Sequence, residues 1–67
     1  MNKIARLADV RHAHGLTQAR LASITGIHRV TIARIETGVV SPNAKTLQRI
    51  ADALGVLVDD LIDKEAG

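Results

Sequence analysis

The stretch of residues 16–38, LTQARLASITGIHRVTIARIETG, decides the fold, because two amphipathic segments meet in it at Gly26. We predict that the first segment buries Leu21, Ala22 and Ile24 and that the second buries Ile27, Ile32 and Ile35. Glycine takes a positive φ without steric cost, so one helix can end at Gly26 and the chain can turn sharply into the next. Ala22 lies four residues before Gly26, and its small side chain lets the second helix cross closely. The stretch therefore predicts two short helices that pack across each other.

The spacing within this stretch is typical of a helix-turn-helix, a motif whose second helix enters the major groove of DNA. Thr17 is a good N-cap, so we expect the first of the two helices to begin after it and to end near Thr25. The second helix begins around His28 or Arg29 and ends at Thr37. A single glycine between helices is common, but its combination with the cap and the apolar spacing is specific.

Length and composition restrict the class of protein. A chain of 67 residues is predicted to form one domain over residues 1–67, with a core at about residues 4–62 and a short acidic tail over 63–67. The absence of cysteine excludes disulfides and thiolate metal sites. The absence of aromatic residues argues against recognition of single strands by base stacking. No apolar run reaches membrane-spanning length and the N-terminus lacks a signal-peptide core, so we expect a soluble cytoplasmic protein with no membrane partner.

Charge is divided unevenly along the chain. The formal net charge is +2, but residues 1–49 carry eight Lys or Arg side chains against two acids, and residues 50–67 carry five acids against Lys64 alone. A basic body with an acidic end is typical of proteins that bind polyanions. Taken alone, the same division also fits two solvated faces of a small helical protein.

The glycines divide the chain into five predicted helices and no strands. Apart from Gly67, they stand at 15, 26, 38 and 55, each just after a helical pattern, and act as C-terminal stops. Outside the central stretch we expect helix one at 2–13 with Asn2 as a possible N-cap, helix four at 44–54 and a short helix five at 59–63. The inward residues are Ile4, Leu7, Ala8 and Arg11 in helix one and Leu47, Ile50, Ala51 and Leu54 in helix four. The predicted fold class is therefore a compact all-α domain.

Arg11 requires a partner, because an unpaired charge at a half-buried position is costly. Glu36 is the natural candidate, since it stands near the end of helix three and next to apolar positions. We predict an ion pair between Arg11 and Glu36 that ties helix one to helix three. Two independent, solvated side chains are the alternative.

The outer side of helix three is the predicted DNA-reading surface. At about 100° per residue, the inner side carries Ile32, Ile35 and Glu36, and the outer side carries Val30, Ala33, Arg34 and Thr37, with Arg29 beside it. An arginine can read guanine O6 and N7 or bind a phosphate, and an outward valine can pack on a thymine methyl group. The predicted base-reading residues are Arg29, Val30 and Arg34, with His28 and Thr31 bonding either bases or backbone. Ordinary surface positions are the alternative for each.

Two helix N-termini are predicted to meet the DNA backbone, because free N–H groups and the positive end of the helix dipole favour a phosphate. One is the start of helix two, where the side-chain amide of Gln18 can also bond a phosphate oxygen. The other is the start of helix four, after a loop over 39–43. The predicted phosphate-contacting residues are Thr17, Gln18, Ala33, Thr37, Asn43, Lys45 and Thr46.

No enzymatic activity, metal site or cofactor is predicted. The only general-base candidates are His12, His14 and His28, and a spacing of two residues puts His12 and His14 on different faces of a helix. The sequence has no phosphate-cradling glycine loop and no metal-ligand spacing. The acids at the start of helix five are more typical of capping and solubility than of a divalent metal site.

Nearly the whole chain, from about residue 4 to residue 62, resembles the Cro/lambda-repressor-like helix-turn-helix domain, also called the xenobiotic-response-element family. The resemblance rests on LTQARLA, GIHRVTIARIETG, the SPNAKTL turn into helix four and IADALGV, which are specific in combination. It implies a compact five-helix domain that binds double-stranded DNA, commonly as a homodimer. It also implies that Gln18 contacts phosphate and braces helix three, and that Arg11 and Glu36 form the family's interhelical ion pair. The positions that match the groove-facing readers are Arg29, Val30 and Arg34, with His28 and Thr31 beside them.

Two positions depart from the family's pattern. Many members carry a basic residue just after the glycine that ends helix three, where this chain has Val39 and Val40, so we expect weaker phosphate affinity there. Members tend to cap helix five with Ser or Thr, where this chain has Leu57. An outward Leu57 with apolar neighbours leaves a surface that a small monomer rarely exposes. The predicted dimer contact consists of Val56, Leu57, Val58 and Ile62.

These features together predict a sequence-specific regulator of transcription that acts as a homodimer on a near-palindromic stretch of double-stranded DNA, associated with the nucleoid when bound. Lysines, arginines and helix termini would supply attraction to phosphates, and helix three would supply discrimination between bases. An antitoxin-type module that holds a toxin or another protein partner and also binds DNA is the alternative.

Overall fold

The computed structural model describes residues 6–62 and, within them, four α-helices followed by one turn of 3-10 helix. The helices are α1 (Leu7–Ala13), α2 (Gln18–Thr25), α3 (Arg29–Glu36) and α4 (Ala44–Leu54), and the C-terminal turn is Val58–Leu61. The described residues form no strand, which confirms the all-helical class. None of these helices within 6–62 has the length and apolar character needed to cross a membrane.

The prediction of a fifth α-helix is wrong, because the segment after α4 forms only the C-terminal turn. In this turn the N–H of Asp60 donates to the carbonyl oxygen of Leu57, three residues earlier, at 2.9 Å. At Ile62 the backbone has already returned to an extended conformation, with φ −96° and ψ 134°. The segment has only four residues and no neighbouring helical turn extends it, so it adopts the tighter 3-10 geometry that is common in short helices.

The bounds of α2 and α4 agree with their prediction, and α3 ends one residue earlier than expected, at Glu36. Helix α1 is described from Leu7 onward. The predicted N-cap Asn2, the predicted inward residue Ile4 and the acidic tail at 63–67 lie outside the described residues.

One apolar core lies between the helices. Its buried members are Leu7, Leu21, Ile32, Ile35, Leu47, Ile50, Ala51, Leu54 and Leu61. Helix α2 packs against both α3 and α4, while α1 packs against α3 and the C-terminal turn. Each fully buried Leu or Ile contributes roughly 1.5–3 kcal/mol, so this core holds α3 in a fixed orientation. Leu61, fully buried, was not predicted as core because it stands in an acidic segment.

The predicted burial of Ile24 is wrong, because its side chain is 44% exposed. The buried residues of α2 are Leu21 and Thr25. At about 100° per residue, Ile24 lies beyond the edge of that face, on the side away from Ala22. It lines an open groove between α2 and α4 instead.

The turn between α2 and α3 is held by Thr25 and Gly26. Gly26 has φ +74° and its N–H donates to Ala22 O at 2.9 Å, so the glycine ends α2 as predicted. The hydroxyl of Thr25 donates to Leu21 O at 2.8 Å and accepts from Ile27 N at 3.2 Å. A buried hydroxyl with both functions satisfied costs little, and here it also sets the direction in which the chain enters α3.

Candidate nucleic-acid interface

Helix α3 has a buried side and an exposed side. Ile32 and Ile35 are 0% and 1% exposed, which places the inner side of the helix against the core. On the opposite side Val30 and Arg34 are exposed, Val30 by 43%, and Arg29 is exposed beside them at the first turn of the helix. These three residues define the reading face, as we call this side of α3 from here on.

The two arginines of the reading face have no hydrogen-bond or ion-pair partner in the part of the chain that the structure describes. Among residues 6–62 the one salt bridge joins Arg11 to Glu36, and no hydrogen bond involves the side chain of Arg29 or Arg34. Each guanidinium presents its fork of N–H donors to solvent, where water satisfies it at no cost to folding. The same fork fits two acceptors on guanine or on a phosphate.

A buried polar network fixes α3 from behind. Arg11 Nε lies 2.6 Å and Arg11 Nη2 lies 3.1 Å from the two carboxylate oxygens of Glu36, and Arg11 Nη1 donates to Leu16 O at 2.8 Å. Gln18 Nε2 donates to Glu36 Oε1 at 2.9 Å. The side chains of Arg11 and Glu36 are 8% and 5% exposed. The predicted ion pair is therefore present, and it joins α1, α2 and α3 around one carboxylate.

The ionisation of Glu36 follows from this network. Burial alone raises the pKa of the carboxyl, but hydrogen bonds from Arg11 and Gln18 and the positive charges of Arg11 and His12 outweigh it, so the pKa lies below its ordinary value of 4.5. Glu36 is thus held ionised.

Gln18 acts first as a brace. Gln18 is the first residue of α2 and Glu36 is the last residue of α3. The amide of Gln18 donates to the carboxylate of Glu36, so this bond links the N-terminus of α2 to the C-terminus of α3. An amide nitrogen carries two N–H donors, and Gln18 uses one of them within residues 6–62. The predicted phosphate contact stays a prediction, with the second N–H as its donor.

Two N-cap side chains accept a hydrogen bond from a backbone N–H of the helix they cap, and their own donor groups remain available. Thr17 Oγ1 accepts from Arg20 N at 3.0 Å, and Asn43 Oδ1 accepts from Thr46 N at 2.8 Å. Both side chains are exposed, and within residues 6–62 neither donates to a protein acceptor. A capping residue of this kind leaves an O–H or N–H₂ group free for a phosphate oxygen. Lys45, exposed at the first turn of α4, adds a positive charge at the same end.

Ala33 and Thr37 are less suited to the predicted phosphate contacts. Alanine has no side-chain donor, and the hydroxyl of Thr37 donates back to Ala33 O at 3.1 Å and Arg34 O at 3.3 Å. Thr46 is half-buried and contributes its backbone N–H to the cap. The donors available for phosphate are therefore concentrated at Thr17, Gln18, Asn43 and Lys45.

His28 has a role that the sequence reading did not include. Its Nδ1 accepts from Val30 N at 3.2 Å, so the imidazole caps the N-terminus of α3. Its ring is exposed beside Arg29. Histidine is not among the residues that usually cap helices, which are Ser, Thr, Asp and Asn, so the sequence carried no signal for this role.

The residues predicted for the dimer contact differ in exposure. Leu57 is 71% exposed, while Val56, Val58 and Ile62 are half-buried and pack against the core. Leu57 N donates to the side chain of Asp60 at 3.0 Å, which is the one bond of a capping box that needs no Ser or Thr side chain. The dimer contact stays a prediction, with Leu57 as its most exposed member.

Known proteins match this chain over most of its length. The family described as helix-turn-helix matches residues 7–61. The cryptic phage CTXphi transcriptional repressor RstR of Vibrio cholerae is 38% identical over 61 residues, which cover 91% of this chain and 54% of RstR. The HTH-type transcriptional regulator PuuR of Escherichia coli is 32% identical over 59 residues, which cover 88% of this chain and 32% of PuuR.

A solved structure matches the fold as well. A crystal structure of a transcriptional regulator of the helix-turn-helix family from Vibrio cholerae has a TM-score of 0.83 and 31% sequence identity, and covers 90% of this chain and 34% of that one. The relatives are longer than this chain, which spans 32% of the length of PuuR and 54% of the length of RstR.

Proposed function

Because this chain belongs to the helix-turn-helix family, we propose that it regulates transcription by binding double-stranded DNA in a sequence-specific way, as a homodimer on a near-palindromic operator. The observation that carries the proposal is the reading face, where Arg29 and Arg34 flank an exposed Val30 on a helix whose other side is fully packed. An apolar side chain between two unpaired guanidinium groups gains little in water. In the major groove it packs on a thymine methyl group while the arginines bond guanine or phosphate.

Attraction and discrimination come from different residues in this mechanism. The donors at Thr17, Gln18 and Asn43 and the charge of Lys45 bind phosphates at two helix N-termini, where the helix dipoles also favour an anion. These contacts position the domain on any duplex, and the reading face then selects the base sequence.

Repression is the proposed outcome of binding. RstR is named a transcriptional repressor, and an immunity repressor protein of Bacillus phage phi105 is 33% identical to this chain over 60 residues. A small domain that occupies an operator excludes other proteins from the same stretch of DNA.

Selection of bound duplexes from a random pool tests the proposal. We expect an enriched sequence with two inverted half-sites whose centres lie one helical turn apart, about 34–36 Å. The variant that replaces both Arg29 and Arg34 by alanine should lose the enrichment while it keeps its fold. A wild-type protein that enriches no sequence would contradict the proposal.

Dimerisation is proposed through the surface around Leu57. A side chain 71% exposed beside three half-buried apolar residues stands where a second copy could cover it. Sedimentation at tens of micromolar, with and without the selected duplex, should detect a dimer that Leu57→Glu abolishes. In the measurement without duplex Val39→Glu is the matched control, because Val39 is 70% exposed at another site. Monomer alone in both conditions would contradict the dimer.

The alternative function is an antitoxin-type module that holds a toxin or another protein partner and also binds DNA. Co-purification of a small protein encoded beside this chain would favour it, and such a role can coexist with DNA binding.

A further inference from the structure

We propose that His28 couples the start of α3 to DNA through a fixed tautomer, in which Nδ1 caps the helix and Nε2–H donates to a hydrogen-bond acceptor of the duplex. The inference rests on the proposed function, because it concerns the same face of α3. A ring held in this way offers the duplex a donor and no acceptor, so it can bond only to acceptor groups of the DNA.

The cap determines which nitrogen carries the proton. The backbone N–H of Val30 points to Nδ1 of His28 at 3.2 Å, so Nδ1 must be the unprotonated nitrogen. A neutral imidazole has one donor and one acceptor. The hydrogen of the neutral ring therefore lies on Nε2.

His14 gives the opposite case in the same chain. Its Nδ1 lies 2.9 Å from Val10 O. A carbonyl oxygen only accepts, so Nδ1 of His14 carries a hydrogen, and in the neutral ring Nε2 then carries none. Two exposed histidines of one domain are thus held in opposite tautomers by the backbone group that each one meets.

The donor of His28 is placed where DNA is proposed to bind. His28 directly precedes Arg29, its ring is exposed, and no acceptor among residues 6–62 takes the Nε2 hydrogen. The acceptors that a duplex offers here are phosphate oxygens, guanine N7 and O6, adenine N7 and thymine O4. The amino groups of cytosine and adenine are donors, so a ring fixed in this tautomer cannot bond them.

Three variants separate the cap from the DNA contact. His28→Asn keeps an acceptor for Val30 N and an N–H₂ donor; His28→Ser keeps the cap but is too short to reach outward; His28→Ala loses both functions. We expect Asn and Ser to melt like the wild type and Ala to melt lower. On the selected duplex, Asn should bind within about threefold of the wild type and Ser roughly three- to tenfold more weakly, as expected for one lost hydrogen bond.

Repeating the duplex selection with His28→Ser identifies the acceptor. If the ring bonds a base edge, the variant loses the preference at one position of each half-site. If it bonds a phosphate, every preference persists and all duplexes bind more weakly by the same factor. Either result supports the donor role, whereas a Ser variant that binds within twofold of the wild type overturns it and leaves His28 as a cap alone.

Nitrogen-15 spectra of the imidazole rings at about pH 8, where free histidine is neutral, test the tautomer without DNA. We expect the unprotonated nitrogen to be Nδ1 in His28 and Nε2 in His14, with His28→Ser assigning the first signal. An unprotonated Nε2 in His28 overturns the inference. A wild-type protein that selects no duplex overturns the proposed function itself, while one that selects a duplex and tolerates Ser overturns only the role of His28.

Discussion

On the inner side of α3, Ile32 and Ile35 are at most 1% exposed and the carboxylate of Glu36 accepts three hydrogen bonds, whereas on the outer side Arg29 and Arg34 have no protein partner among residues 6–62. The one charged group of the inner side, the Glu36 carboxylate, is hydrogen-bonded by protein donors, so the residues of this side are expected to determine stability. The outer side leaves its donors to water, so its residues are expected to determine affinity for a ligand. On this account the eight residues of α3 serve folding with one face and the proposed recognition of DNA with the other.

Arg11→Ala is the substitution with the largest expected effect. It leaves the nearly buried carboxylate of Glu36 without its cation, and breaking a buried pair in this way costs about 3–5 kcal/mol. Urea unfolding followed by circular dichroism measures the loss. Arg20→Ala is the matched control, because Arg20 is exposed and its loss should stay within about 0.5 kcal/mol. A loss below about 1 kcal/mol for Arg11→Ala would contradict the structural role of the inner side.

Glu36→Gln should cost about 1.5–3 kcal/mol at neutral pH, because it removes a charged acceptor but keeps an isosteric amide. The folded-state pKa of Glu36 lies below its ordinary value of 4.5. The stability it contributes is therefore complete above that value and is lost as the pH falls through the lower folded-state pKa. The difference in unfolding free energy between wild type and variant should narrow below about pH 4. A difference in unfolding free energy that stays constant from pH 7 to pH 3 would contradict the lowered pKa of Glu36 and its role as an ionised partner of Arg11.

Arg34→Ala and Arg29→Ala should each weaken binding to the selected duplex by about 1–3 kcal/mol if the residue bonds a guanine. Their unfolding free energies should change by less than about 0.5 kcal/mol, because both side chains are exposed and have no hydrogen-bond or ion-pair partner among residues 6–62. Fluorescence anisotropy at fixed salt and urea unfolding measure the two quantities. Arg49→Ala, an exposed arginine on α4, serves as the control. Binding unchanged in both variants would show that the outer side has been assigned to the wrong role.

Lys45→Ala has the smallest expected effect. The side chain is exposed at the first turn of α4 and should meet a phosphate, so its loss weakens all duplexes alike and reduces the slope of log affinity against log salt by about 1. Titrations of the selected duplex and a random duplex at four salt concentrations measure the slope. A loss confined to the selected duplex would instead place Lys45 among the base-reading residues.

The elements with strong local signals could be predicted from the sequence. Apolar spacing, the cap Thr17 and the stop at Gly26 predicted α2, and apolar spacing with the stop at Gly55 predicted α4. The ion pair of Arg11 and Glu36 could also be predicted, since a charge at an inward position has few partners to choose from.

The errors arose where burial depends on a neighbouring element. Ile24 is exposed because α4 leaves a groove beside α2, and Leu61 is buried because the C-terminal turn folds back to α1, where Arg6 N donates to Leu61 O at 3.3 Å. The cap by His28 was missed because its side chain rarely caps helices, so propensity gives no signal.

The sequence alone was enough to predict α2, α3 and α4 to within a residue and the apolar face of α3, because these properties depend on side chains within one or two turns of each other. How much of each face is covered and how many donors surround Glu36 came from the tertiary packing alone. These outcomes depend on distances between groups that are far apart in the chain, and packing sets those distances.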